Sequence, residues 1–314
     1  MANAYTSTDS GSLGNYLVQA AYDRYVEFAL RAVPLIRDVA DKRPVQQAMP
    51  GSSVVFQLYN DLSKATGVLS ETADPDAVGF GNTNQVSVTL NEYGNAALAT
   101  RKLELFSLSD VDPAIADIIA FNMADSIDEV AQTVLRGGSN VIYSGGGTST
   151  TGVTAGSTIK SADIRKAVAK LRTNKAVPRQ GEFYWCGIHP EVSHDLRAET
   201  GAGGWREAHV YNESGAGELW PGSIGTYEGA MFVESPRLYN ATDGGSSTKV
   251  FRTIVAGKQA LAEAIAEEPH VIVGPVVDKL MRFRPIGWYG VLGFARYREA
   301  SLYRIESTSS IDAA

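Results

Sequence analysis

The sequence predicts a mixed α+β fold organised around one long helix, and three observations carry that prediction. From Asp112 to Arg136, Ile115, Ile119, Ile127, Val130 and Val134 keep helical spacing, and Gly137 and Gly138 close the run. Val54, Phe56 and Leu58 alternate with Val55, Gln57 and Tyr59, and Val86, Val88 and Leu90 alternate more cleanly with Ser87, Thr89 and Asn91. The end, from Arg284 to Ser307, is dense in aromatic residues and arginines and alternates again over Leu302, Arg304 and Glu306.

The elements follow in order. Tyr16 to Val33 reads as a helix stopped by Pro34. The strands near 54–58 and 86–90 flank a polar stretch, Asn60 to Gln85, too long for an ordinary connection, so the pair is expected to form a projecting two-stranded finger. Asp112 is placed to cap the long helix and Pro113 suits its first position. At 1.5 Å per residue this spine is roughly 35 Å long. Ser144 to Thr158, "SGGGTSTTGVTAGST", reads as a flexible link. Ser161 to Thr173 is a further helix, with Ile164, Val168 and Leu171 on one face. Strands are expected at Phe183 to Ile188, Gly229 to Ser235, Thr253 to Ala256 and Val271 to Val273.

Composition sets limits on function. The chain has 314 residues, 44% hydrophobic and 20% charged, which fits one or two soluble globular domains. A net charge of −7 argues against a surface devoted to gripping nucleic acid. One cysteine precludes an internal disulfide and fits a reducing compartment. "MANAYTSTDSGSLGNY" has neither the basic start nor the apolar core of a signal peptide, and no run of about twenty apolar residues suggests a membrane span.

The densest cluster of reactive residues is "FYWCGIHPEVSHDLR", which holds Cys186, His189 and His194. Pro190 suits a first helical turn, so the stretch reads as a strand turning into a helix. Five helical steps leave His189 and His194 roughly 140° apart, whereas a helical metal pair needs a spacing of four. Cys186 falls in mid-strand, where a lone cysteine acts as a small hydrophobe. Gly147 to Thr154 has the glycine spacing of a phosphate-binding loop, but Val153 stands where the lysine is required. Gly287, Gly290 and Gly293 mark bulges or close approaches rather than a dinucleotide motif. Lys160 to Arg179 is a basic run, read as a solvated helix face in preference to a contact with nucleic acid or an acidic neighbour. Asp125, Asp128 and Glu129 form an acidic cluster on the spine, suited to arginines of another chain or to solvent. No catalytic, cofactor-binding or metal-binding residue is assigned.

The layout of finger, spine, glycine-linked α/β region and returning C-terminal strands resembles the major capsid proteins of tailed bacteriophages, of the Hong Kong 97-type fold. "IHPEVSHDLRAETGAGGW", "GSIGTYEGAMFVES" and the closing "RIES" are similar to motifs of one such coat-protein family. The resemblance implies an N-terminal arm and helix at 1–50 and an extended loop at 51–99. It also implies a peripheral domain at 100–158 and 274–314, and an axial domain at 159–273. It implies a subunit that assembles with itself into hexamers, pentamers and an icosahedral virion shell in the host cytoplasm. Its other partners would be a separate scaffolding protein, a portal, decoration proteins and packaged double-stranded DNA held without sequence specificity. No cofactor and no membrane are implied. Tyr16, Tyr25, Phe28, Phe56, Lys64, Asp125, Asp128, Glu129, Trp205, Trp220, Trp288, Arg296 and Arg298 are the candidate assembly residues. The alternatives are an encapsulin-like nanocompartment shell and a hydrolase using Cys186 with His189 or His194.

Overall fold

Short alternating stretches make the first strands: β1 (Ala40–Pro44), β2 (Ser53–Leu58), β3 (Asn84–Thr89) and β4 (Asn91–Thr100). A short helix, α1 (Arg101–Phe106), precedes the spine α2 (Val111–Arg136), whose 26 residues span about 39 Å. Next come β5 (Val141–Tyr143), α3 (Ser161–Thr173), β6 (Tyr184–Ile188), α4 (Pro190–Ala198), β7 (Ser223–Tyr227) and β8 (Ala230–Glu234). The chain ends with β9 (Asn240–Ala241), β10 (Val250–Ala256), β11 (Leu261–Val273), β12 (Phe283–Arg296) and β13 (Leu302–Ser307). This computed structural model describes residues 34–44, 52–58, 62, 64–69, 71–72, 74, 79, 84–106, 111–199, 223–275, 280 and 282–311. The expected helix with Tyr16, Tyr25 and Phe28, and the segment with Trp205 and Trp220, lie outside the described residues.

The strands form three sheets. One has the order β1-β11-β12-β4, and a larger one runs β5-β13-β10-β6-β8-β7 with β9 beside β10. The third is the two-stranded finger β2-β3, paired antiparallel from Ser53 opposite Thr89 to Leu58 opposite Asn84. The period-2 alternation of strand side chains decides what each face meets. In β6, Tyr184, Cys186 and Ile188 pack with Ile164, Val168 and Leu171 of α3 and with Val192 and Leu196 of α4. Trp185 points to the other face and packs with Ala131 and Leu135 of the spine and with Ile36 and Val39. Both faces of the larger sheet are therefore covered, which is why β6 reads as a continuous apolar run.

The N-terminal half of the spine covers the smaller sheet. Ile115, Ile119, Met123 and Ile127 pack on Ile286, Trp288 and Leu292 of β12. Phe56, Val88 and their finger neighbours pack on Ala262, Ala264, Ala295 and Tyr297, the residues of opposite alternation, so the finger base lies on the sheet face away from the spine. One helix thus joins the two large sheets, and the finger is seated behind one of them.

Three readings need correction. The spine begins at Val111, so Pro113 is its third residue, still within the first turn where the missing N–H breaks no helical bond. Ser144 to Thr158 is no flexible link: Val153 is fully buried, Gly245 N–H donates to its carbonyl at 2.9 Å, and Thr308 N–H donates to Ser157 at 3.0 Å. The expected division after residue 273 separates β11 from β12, which pair antiparallel in one sheet, while β5 and β13 belong to the larger sheet.

Candidate functional site

The strand-to-helix corner forms as the sequence predicts. His189 is the N-cap of α4, its Nδ1 accepting from the Glu191 N–H at 3.3 Å, and its ring lies 4.8 Å from that of Phe251. His194 lies on the outer side of α4, more than half exposed, beside Asp195 at 3.3 Å. Cys186 is fully buried among the apolar side chains of α3, α4 and β10, and burial pushes its thiol far above the ordinary value. That environment opposes the thiolate a nucleophile needs. What the corner does hold is the C-terminal segment: the Asp195 carboxylate accepts from the Ser310 N–H at 2.8 Å and from the Ser310 hydroxyl, and Ser309 Oγ donates to the Glu191 carbonyl at 3.2 Å. Among the described residues no group of three His, Cys, Asp or Glu is placed to hold a metal ion. No helix of the described residues is long and apolar enough to cross a membrane.

The acidic cluster on the spine meets arginines of its own chain. Asp128 is 1% exposed and accepts from the N–H groups of Ile36 at 2.7 Å and Arg37 at 3.1 Å. Arg237, just beyond β8, reaches both Asp128, at 3.2 Å, and Asp125. Burial pushes the Asp128 carboxyl up to about 6, although the two backbone N–H bonds act to lower it. Glu129 lies apart, with Arg136 at 3.9 Å. Next to this hub, Arg37 also pairs at 2.8 Å with Glu263, whose carboxyl is likewise raised by burial. The segment that leads in from the N-terminal residues is therefore fixed to the spine and to β11 at one point.

Of the remaining candidates, Trp288 is buried under the spine and its Nε1 donates to Asn122 at 3.0 Å. Arg296 donates to the Val134 carbonyl at 3.0 Å, satisfying a group at the C-terminal end of the spine, and pairs with Glu299 at 2.9 Å. Phe56 packs edge-on against Tyr297, with ring centroids 5.9 Å apart, at the finger base. Arg298 and Lys64 are exposed. Sequence reasoning did not single out the apolar residues that the fold leaves uncovered. Val68 and Leu69 in the finger are fully and 73% exposed. Val271, Ile272 and Val273 at the far end of β11 are also exposed, beside an apolar groove of about 360 Å³ lined by Gly94, Ala96, Pro285, Gly287 and Trp288. Their signal was present: unlike a polar loop, a long connection that carries adjacent Val and Leu has something to bury.

The profile of the family described as phage capsid protein matches residues 12–311. The chain belongs to that family. The capsid protein's fold is shared with the capsid of Ralstonia phage GP4, at a TM-score of 0.76 and 15% identity over 98% of this chain and 99% of that one. The cyanophage Pam1 capsid matches with a TM-score of 0.72 and 14% identity, over 96% and 99% of the two chains. The head of Helicobacter pylori bacteriophage KHP40 matches at 0.71 and 13%, over 98% and 99%. No curated protein sequence matches the chain. This is the Hong Kong 97-type fold, and the capsid protein is a structural subunit. In such a subunit the Cys186 corner and the Asp128 hub hold its own elements together, whereas the finger and the open end of the smaller sheet carry its uncovered apolar surface.

Proposed function

We propose that this capsid protein assembles with copies of itself into hexamers and pentamers of an icosahedral shell enclosing double-stranded DNA. The observation that carries the reading is the finger: its base is packed on β11 and β12, while Val68 and Leu69 at its far part are exposed. A monomer gains nothing by holding apolar side chains out into water, and a neighbouring copy removes that cost. A contact from one subunit's finger to another patch of the next is head-to-tail, which closes into rings when the rotation allows.

In this reading the part of 1–50 that precedes β1 is an arm, and the part of 51–99 that precedes β4 is the extended loop. The smaller sheet with the N-terminal half of the spine is the peripheral part, and the larger sheet with α3 and α4 is the axial part. Aromatic residues outside the described segments, Tyr16, Tyr25, Phe28, Trp205 and Trp220, are assigned to contacts between copies, as is Lys64. A separate scaffolding protein, a portal and decoration proteins are its expected partners, and the shell forms in the host cytoplasm before it becomes the virion wall.

The test is particle size, by electron microscopy and sedimentation, for the protein expressed alone and beside a candidate scaffolding protein. Closed hollow particles tens of nanometres across are the expected result. A compact monomer or dimer under both conditions would overturn the reading.

A further inference from the structure

We propose that the exposed basic face of α3, together with the turn at Lys258 and the connection at Arg298, is where the shell wall meets the phosphate backbone of the packaged duplex. The proposal rests on the shell reading above and adds to it the surface that touches DNA.

Residues 160–179 carry seven of the chain's 28 Lys and Arg but only one of its 35 Asp and Glu. The fold fixes where those charges go. Ile164, Ala167, Val168 and Leu171 are buried against the larger sheet, which leaves Arg165, Lys166, Lys170, Arg172 and Lys175 exposed. The one acid, Asp163, is used at the helix start, accepting from the Lys160 N–H at 3.3 Å and from Ser144 Oγ at 2.9 Å.

Two distant segments bring further charge to the same end of the helix. Lys258 N–H donates to the Val177 carbonyl at 2.8 Å, and Arg298 N–H donates to the Gln259 carbonyl at 2.9 Å. Both side chains are exposed. Arg165 has Glu228 at 3.8 Å, and Arg172 is bonded to Tyr184, so those two are partly engaged. Lys166, Lys170, Lys175, Lys258 and Arg298 have no ion-pair partner among the described residues. Cations at a helix C-terminus complement its dipole, which accounts for Lys170 and Arg172. It does not account for Lys258 and Arg298, which come from other elements.

The chemistry favours a phosphate backbone over an acidic protein. Protein interfaces are anchored by buried aromatic and apolar groups and are depleted in lysine. This face carries lysines, with Val177 as its exposed large apolar neighbour. Duplex DNA presents one charge per ~1.7 Å, so about a dozen phosphates lie along the roughly 20 Å of α3. Flexible lysines meet such a row in any register, which suits contact without sequence preference. The net charge of −7 keeps the rest of the subunit from holding the genome fast.

The test is lysine acylation of intact DNA-filled particles and of the same particles emptied by chelator and nuclease, read by peptide mass spectrometry. Lys102 serves as the internal reference. Lys166, Lys170, Lys175 and Lys258 are expected to react at least about threefold more slowly in filled particles, with the difference gone after emptying. Equal, fast reaction in both states would overturn the proposal by placing this face away from DNA. Slow reaction in both would overturn it by making the face a contact between proteins. If the chain forms no particles, the shell reading itself fails, a result distinct from either.

Discussion

Asp128 sits at a core-facing position of the spine with two backbone N–H groups and one guanidinium aimed at its carboxylate. Its carboxyl is raised from 3.8 to about 6, so the folded state holds the proton more tightly than the unfolded chain does. The stability this contributes is fully present below about pH 4 and is lost as the pH rises through 6. Asp128→Asn keeps an acceptor for Ile36 and Arg37 but cannot titrate. The unfolding free energy of wild type minus variant, from urea titrations of dissociated subunits, should therefore rise by about 2 kcal/mol between pH 7 and pH 4.5. A difference that does not change with pH would mean that folding leaves the Asp128 carboxyl at its unfolded value. Cys186 makes a simpler case. Its burial predicts no reaction with iodoacetamide until urea unfolds the chain. Cys186→Ser, which buries a hydroxyl in apolar surroundings, should cost about 1–3 kcal/mol, more than Cys186→Ala. Rapid alkylation of the folded protein would contradict the buried placement.

The finger depends on one close approach. A Cβ built at Gly293 of β12 would run into the carbonyl oxygen of Thr89, where the end of β3 crosses the sheet. Gly293→Ala must therefore lift the finger base from Ala262, Ala264 and Ala295, at a cost of about 1–3 kcal/mol. The expected signs are a lowered melting temperature and faster proteolysis after Lys64, with β6 and α4 unaffected. Unchanged proteolysis would mean that the finger is held elsewhere. The finger, the spine and the Cys186 corner were legible in the sequence because each is a local pattern: alternation, helical spacing, and Pro190 after an apolar run. β4 was not, because along the edge of the smaller sheet most of "NEYGNAALAT" stays exposed and shows no alternation. The 144–158 segment looked flexible because the bonds that hold it come from Gly245 and Thr308, far along the chain. Asp128 looked like a surface acid for the same reason: its partner Arg237 is 109 residues away, and burial at that position is decided by packing rather than by neighbours in sequence.

The whole subunit divides its apolar groups between those that hold it together and those left for its neighbours. Removing a largely exposed side chain should leave the isolated fold intact, within about 0.5 kcal/mol, because it buries little against the rest of the subunit. Val68 and Leu69 meet that condition, being fully and 73% exposed. Val68→Asp with Leu69→Asp is therefore expected to melt like wild type as a dissociated subunit yet to form no closed particles. Each subunit would lose one contact, but a shell repeats it around every ring, so a small change per copy becomes a large change in assembly. The same pair changed to Ala should give an intermediate yield, since the contact shrinks without gaining a buried charge. Sedimentation separates the outcomes: shells from the Asp variant at wild-type yield would place the finger outside the contacts that build the particle, and the uncovered end of β11 at Val271 to Val273 would then be the next surface to change.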